Sequence, residues 1–551
     1  MNQKLENLLQ LALQTSEEVR ERTEDLNVGF DIASRTWELI VKYHGSLDVL
    51  GSLGVGIEYL IAGYAILTVP EQLVERMVEL EQIEYVEKPK RYFYQQIAPM
   101  EGSCLEPVIF REPYLTGKNV LVAVLDSGID YRLVEFRDGT GNTRIRYLWD
   151  QTLRPTEERR PPEGFAVGVE FSAEEINAAL AAGTPQQQFE LLPSMDTSGH
   201  GTAVAGIAAG NSTEYRGVAG EAQLLIVKLG VADVLGFPRT TEIMRGITYA
   251  VNKAVELQMP LVVNLSFGNT YGAHDGSSLL ERFLDNASEI GRTVVCVGSG
   301  NEGAGGGHLA GSLERAAGGT SYRPAEAELA VAQYERTLNV QLWKNYSDVY
   351  RIYLRAPGGQ EAELPAGIES GKFTLRLGQT DILVYIGEPL PYSAAQEIYL
   401  DLLPVGSPYI DSGIWTIRLT PVEVVTGNYY LYLPSSAVRS ENTGFYRPTP
   451  EVTLTIPSTS SKVITVGAYN STYDAYADFS GRGYADAQRT IGVVTSGLAK
   501  PDFVAPGVNI LAPDIYGGYN PVTGTSFATP IVSGSAALLM EWGEEVIIRL
   551  R

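Results

Sequence analysis

Between about residues 115 and 300, apolar positions come in unbroken blocks rather than in alternation. NVLVAVLD, LLIVKLG, PLVVNLSFG and TVVCVG are apolar runs of strand length, a pattern that belongs where both faces of a parallel sheet are covered. TAVAGIAAG and EIMRGITYAVNKAVEL lie between them with helical composition and spacing. This order predicts a doubly wound α/β domain with its chemistry at the C-terminal ends of the strands.

Past residue 308 the period changes to two. TLNVQLW, VYRIYLR, KFTLRL, DILVYI, EIYLDLL, IWTIRL and NYYLYL follow one another with PGG, EP and TGN among the separators. This spacing predicts an inserted antiparallel β-sandwich, read here as a jelly roll. The α/β pattern resumes at PSTSSKVITVGAY. At the other end, WELIVKYHG and EYLIAGYAILTVP read as strands, and IEYVEKP as another. EQLVERMVELEQ places Leu73, Val74, Met77 and Val78 on one helical face, so the first hundred residues predict a compact α+β module. The expected division is 1–96 for that module, 97–309 and 456–551 for the two halves of the α/β domain, and 310–455 for the β insert.

A length of 551 residues agrees with several domains, and 44% hydrophobic with 20% charged residues is a globular composition. A formal net charge of −24 argues against nucleic acid or an anionic membrane surface as the principal partner. No run of 18 apolar residues occurs, so no membrane span is expected. MNQKLENLLQLALQTSEEVRERTEDL lacks a basic segment followed by an unbroken apolar core, so no secretory signal is read there. Cys104 and Cys296 read as free thiols rather than a disulfide framework. No Cys/His cluster has ligand spacing, and neither metal nor cofactor is expected.

Four polar residues fall at the strand ends and helix starts of this one inferred sheet. Asp126 ends VLVAVLD, His200 lies between glycines in DTSGHGTAVAGIAAG, Asn301 follows a strand in VGSGNEG, and Ser526 opens SFATPIVSGSAALLMEW. Singly, each has an ordinary role as a cap, turn or core residue. Together they form an acyl-transfer set. His200 takes the proton of Ser526, Asp126 orients the imidazole, and Asn301 with the Ser526 backbone N–H binds the oxyanion.

The stretches VLDSGID, GHGTAVAGIAAG, GVAGEAQLLIVKL, VVNLSFG, VGSGNEG, ITVGAY, FVAPGVNI and GTSFATPIVSG resemble the subtilisin-like serine proteases through both α/β halves. The resemblance implies Asp126, His200 and Ser526 as catalytic triad and Asn301 as oxyanion donor. It further implies Ser266, Phe267 and Gly268 as backbone pairing for an extended substrate, and Gly298, Ser299 and Gly300 as lining of the primary specificity pocket. The N-terminal module resembles the family's propeptide, a folding helper that stays in the cleft as inhibitor.

The propeptide leading through YFYQQ, the insertion EFSAEEINAAL, the β insert and the ending GSAALLMEWG narrow the resemblance to the clostridial germination-specific proteases. That subfamily implies self-cleavage after Gln96, with Gln95 the alternative, and a protein substrate that is the zymogen of a cortex-lytic enzyme. It also implies a spore location, with synthesis in the mother-cell cytoplasm. Two other classes compete. GSGNEG at 298–303 matches the dinucleotide-binding pattern G-x-G-x-x-G, and some members of the subfamily are catalytically silent scaffolds.

Overall fold

The computed structural model describes the chain except residues 1–2, 24, 92–104, 106–108, 110–113, 233–235, 317–320, 365–370, 484–498 and 551. Its centre is a nine-stranded sheet formed by β1 (Leu121–Asp126), β2 (Ile145–Asp150), β3 (Val169–Ser172), β4 (Gln223–Lys228), β5 (Leu261–Leu265), β6 (Thr293–Gly298), β7 (Ile464–Asn470), β8 (Ala475–Tyr476) and β9 (Phe503–Pro506). The order is β8-β7-β6-β5-β1-β4-β2-β3, with β9 also on β7. All pairs are parallel except β2 with β3 and β7 with β8. Every residue of β1 and β5 is buried, as their unbroken apolar sequences require.

Four helices position the site: α1 (His200–Ala209), α2 (Thr240–Leu257), α3 (Leu279–Ala287) and α4 (Thr525–Leu550). One apolar core packs α1 and α4 on one side of the sheet, and another packs α2 and α3 on the opposite side. The chain proceeds from β1 to one side of the sheet, then returns to build β5, β6 and β7 on the other. The end of β1 is therefore the switch point, where an open α/β sheet leaves a crevice.

The β insert consists of two antiparallel sheets, of six and five strands, packed face to face over one core. It contains each of the seven expected strands, together with His308–Ser312, Ala325–Val331 and two shorter ones. The sequences HLAGS and AEAELAV are too rich in small or charged residues to announce themselves as strands.

The N-terminal unit is a five-stranded antiparallel sheet with short helices. Here EYLIAGYAILTVP is not one strand but two, Gly56–Tyr59 and Tyr64–Pro70, paired antiparallel. The chain reverses at Ala62 and Gly63, both with positive φ (57° and 73°). The glycine explains why the apolar run can fold back on itself. The helix expected over EQLVERMVELEQ is reduced to a 3-10 turn at Glu71–Leu73 and one turn at Val74–Val78, because the strand Ile83–Glu87 begins five residues later.

Candidate active site

Asp126 is the last residue of β1 and is wholly buried. His200 opens α1, and its Nδ1 lies 2.7 Å from Asp126 Oδ1. The approach to that helix is fixed by Asp196. Its carboxylate accepts from Ser198 N (3.2 Å), Gly199 N (3.0 Å), Thr202 N (2.9 Å), Thr202 Oγ1 (2.7 Å) and Ser127 Oγ (2.8 Å). It thereby satisfies first-turn N–H groups that have no partner within the helix. Ser127 Oγ in turn accepts from Gly201 N at 2.9 Å, joining α1 to the end of β1. Gly201 has to be glycine. A Cβ there would stand 2.2 Å from the Gly128 carbonyl oxygen and 3.0 Å from Asp126 Cβ.

Ser526, buried in the first turn of α4, donates its hydroxyl to the Ser266 carbonyl at 3.3 Å, and Ser266 Oγ donates to the Ser526 carbonyl at 3.0 Å. This reciprocal pair ties the start of α4 to the end of β5. The ring of the next residue, Phe527, has its centroid 5.1 Å from that of the His200 imidazole, so serine and histidine share one cleft.

Asn301 follows β6. Its Oδ1 accepts from both the N–H and the Oγ1 of Thr525, each at 3.1 Å. A side-chain oxygen held by a backbone donor fixes the amide's orientation, with Nδ2 on the other side of Cγ. That nitrogen and the first-turn N–H groups of α4, where the helix dipole favours negative charge, are the available oxyanion donors.

Thr455 closes the wall beside these groups. A Cβ on Gly268 would lie 2.2 Å from Thr455 Oγ1, and one on Gly300, whose φ is +94°, would lie 2.5 Å from Thr455 Cγ2. Gly300 N donates to Thr525 Oγ1 at 3.2 Å. A Cβ on Gly298 would come within 3.2 Å of Thr525 Oγ1. Ser299 is wholly buried, with its N–H on Val466 O (2.8 Å), its carbonyl on Thr455 N (3.0 Å) and its Oγ 3.3 Å from Ser480 Oγ. Its side chain is turned away from the cleft, so residues 298–300 can contribute only backbone there. Phe267 is buried with its ring centroid 6.4 Å from that of His200.

Gln96 and Cys104 lie outside the described residues. Cys296 is a free buried thiol in β6, and burial pushes it up to about 12, far from the thiolate a nucleophile needs. Past GSGNEG the chain turns and enters the strand His308–Ser312. No helix start is available to hold a pyrophosphate, which removes the dinucleotide reading. Among the described residues, no group of three or more His, Cys, Asp or Glu is placed to hold a metal ion. None of their helices is long and apolar enough to cross a membrane. Asp196, Thr525 and Thr455 are the site residues that the sequence reading did not single out.

The family model described as the Subtilase family matches residues 117–381 and 426–546, and that of the Csp protease B prodomain matches residues 3–90. The solved structure of the Clostridium perfringens CspB protease is 33% identical, with a TM-score of 0.71 over 81% of this chain and 86% of that one. The minor extracellular protease Vpr of Bacillus subtilis is 25% identical over 78% of this chain and 47% of its own length. Subtilisin E of the same organism is 28% identical over 47% of this chain and 55% of its own. The chain thus spans about half the length of these curated relatives.

Proposed function

Because the chain belongs to the subtilase family and carries a prodomain of the Csp protease B type, we propose that it is an active serine endopeptidase that cuts its own linker after Gln96. The observation that carries this reading is the buried Asp126–His200 pair at 2.7 Å, with Ser526 next to the Phe527 ring that packs on the same imidazole. In this reading the Ser526 hydroxyl leaves the Ser266 carbonyl and turns to His200 Nε2, a rotamer change far faster than acyl transfer. His200 accepts the proton. Asp126 holds the tautomer with hydrogen on Nδ1 and stabilises the imidazolium, while Asn301 Nδ2 and the Ser526 N–H receive the oxyanion. Ser266, Phe267 and Gly268 offer backbone groups to an extended substrate. Gly298 to Gly300 supply a flat wall for the side chain at the cut.

The likeness to the CspB protease supports a role in germination, with the zymogen of a cortex-lytic enzyme as protein substrate and the spore as location. N-terminal sequencing of the purified chain tests the chemistry. The unmodified protein is expected to yield a new terminus at Ile97, and Ser526→Ala and His200→Ala a single uncut chain. A processed band from either variant refutes the assignment, and an uncut unmodified chain favours a catalytically silent scaffold.

A further inference from the structure

Beside the catalytic pair lies a cavity of about 650 Å³ that none of these roles uses. Its walls come from the loop after β1, from the long connection between β3 and α1, and from the hairpin that precedes Ser526 (Ile510–Pro513 with Tyr519–Val522). The apolar surface is supplied by Tyr131, Phe189, Leu192, Met195, Ile515 and Tyr516. Three of these stand open to solvent on the rim: Phe189 at 49%, Met195 at 43% and Tyr516 at 88% exposure. Large apolar side chains clustered this way mark a surface that something covers.

Two further facts say what covers it. The cavity is lined by the segments that lead into the reacting groups. Asp130 is four residues past Asp126, Thr197 is three before His200, and Ile515 comes within 3.6 Å of where a Cβ on Gly199 would sit. Its one lining cation is already paired, and its carboxylates are already hydrogen-bonded. Asp130 is held in a two-point pair by Arg132, with Nε and Nη2 both at 2.8 Å, and Asp196 is saturated by its bonds from Ser127, Ser198, Gly199 and Thr202. An anionic ligand would find no unpaired cation among the lining residues, whereas an apolar side chain would lose water on both sides of the contact.

The position in the sheet gives the direction. The backbone groups proposed to hold the acyl side of a substrate follow β5 and β6, on one side of β1. The connection from β3 to α1, which supplies Phe189, Leu192 and Met195 of the cavity's apolar surface, leaves from the far edge on the other side. Resting on the endopeptidase reading above, we propose that this cavity takes one or two large apolar side chains of a polypeptide substrate on the leaving-group side of the cut bond. It is then a specificity site built from the insertion between β3 and α1. The chain's own linker has the matching chemistry, since Gln96 is followed by Ile97, Ala98, Pro99 and Met100. A volume of this size accommodates more than one such side chain.

The test compares two peptides that share Tyr-Phe-Tyr-Gln-Gln and continue as Ile-Ala-Pro-Met or as Ser-Gly-Ser-Gly. A chromogenic amide of the shared half serves as control. The unmodified chain should show kcat/KM at least about tenfold higher for the apolar continuation, the discrimination an apolar pocket gives for a few methylene groups. Tyr516→Ala and Phe189→Ala, both at exposed positions, should reduce the preference to within about threefold while leaving the chromogenic amide unaffected. Turnover with no preference, or a preference intact in both variants, overturns this inference and leaves the endopeptidase reading standing. Absence of all turnover overturns both.

Discussion

The glycine at 201 governs how closely histidine and aspartate can approach. Its missing Cβ would occupy the space 2.2 Å from Gly128 O and 3.0 Å from Asp126 Cβ, so Gly201→Ala has to push the start of α1 away from β1. A displacement of about 1 Å at reacting groups costs on the order of 10²-fold in rate. The variant should therefore lose about that much kcat/KM on a chromogenic peptide amide, with a folded circular dichroism spectrum. A rate within threefold of the unmodified chain would show that the helix absorbs the methyl group elsewhere. The candidates Asp126, His200, Asn301 and Ser526 can be picked out of the sequence because each stands in a run of small or apolar residues. Asp196 and Thr525 cannot, since a carboxylate or hydroxyl that serves backbone N–H groups looks in sequence like any turn residue. Thr455 lies more than 150 residues from the glycines it packs on, and no local pattern connects them.

At the level of elements, the central strands were readable because burial on both faces leaves no polar position. The docking face of α2 was not. Arg239, Glu242 and Arg245 have the spacing of a solvated helix face, yet Glu242 and Arg245 are buried and Arg239 half-buried beneath the N-terminal sheet. Arg245 Nε lies 2.9 Å from Glu58 Oε1, its Nη2 pairs with Glu38, and Arg239 Nη2 reaches Glu38 at 2.7 Å. Burial pulls the Arg245 guanidinium down, but Glu38, Glu58 and Glu242 outweigh it and hold it above its ordinary value. Removing one member of such a buried network leaves the others uncompensated, at a cost of about 3–5 kcal/mol. Arg245→Met should therefore loosen the N-terminal unit from α2. Limited trypsin digestion checks this, with fragments of residues 3–90 appearing at least ten times faster than in the unmodified chain. An unchanged digestion rate would mean that the apolar contacts, among them Tyr64 edge-on to Phe283 at 5.2 Å, hold the unit without the ions.

In the whole molecule, the N-terminal unit is held on two sides. Its sheet lies on α2 and α3, while its first helix (Asn7–Gln14) faces the β insert, with Asn7 Nδ2 on Glu397 Oε2 at 3.1 Å and Tyr385 OH on Gln10 Oε1 at 3.2 Å. Burial pushes Glu397 up to about 7, with Glu6 adding to the rise and the Asn7 hydrogen bond and Lys90 opposing it; burial likewise raises Glu87. A carboxyl that keeps its proton in the folded chain but loses it near pH 4.5 when exposed stabilises most at low pH. That contribution declines from about pH 4.5 to about pH 7. Glu397→Gln lacks the decline. The variant should melt with the unmodified chain at pH 5 and several degrees above it at pH 8, as read by tryptophan fluorescence, and equal midpoints at both pH values would refute the coupling. The three-part plan was visible in the sequence as changes of hydrophobic period, but periods describe one element at a time and say nothing about which units share a core. Here they do share cores. Leu383, Tyr385 and Tyr399 of the insert belong to the apolar cluster of the N-terminal unit, and Ile40, Tyr64 and Ile66 of that unit belong to the cluster under α2. Severing the linker bond proposed above would leave both of these seams intact, so the proposed nick and the surfaces that join the units are different places, and a cleaved preparation should still travel as one particle.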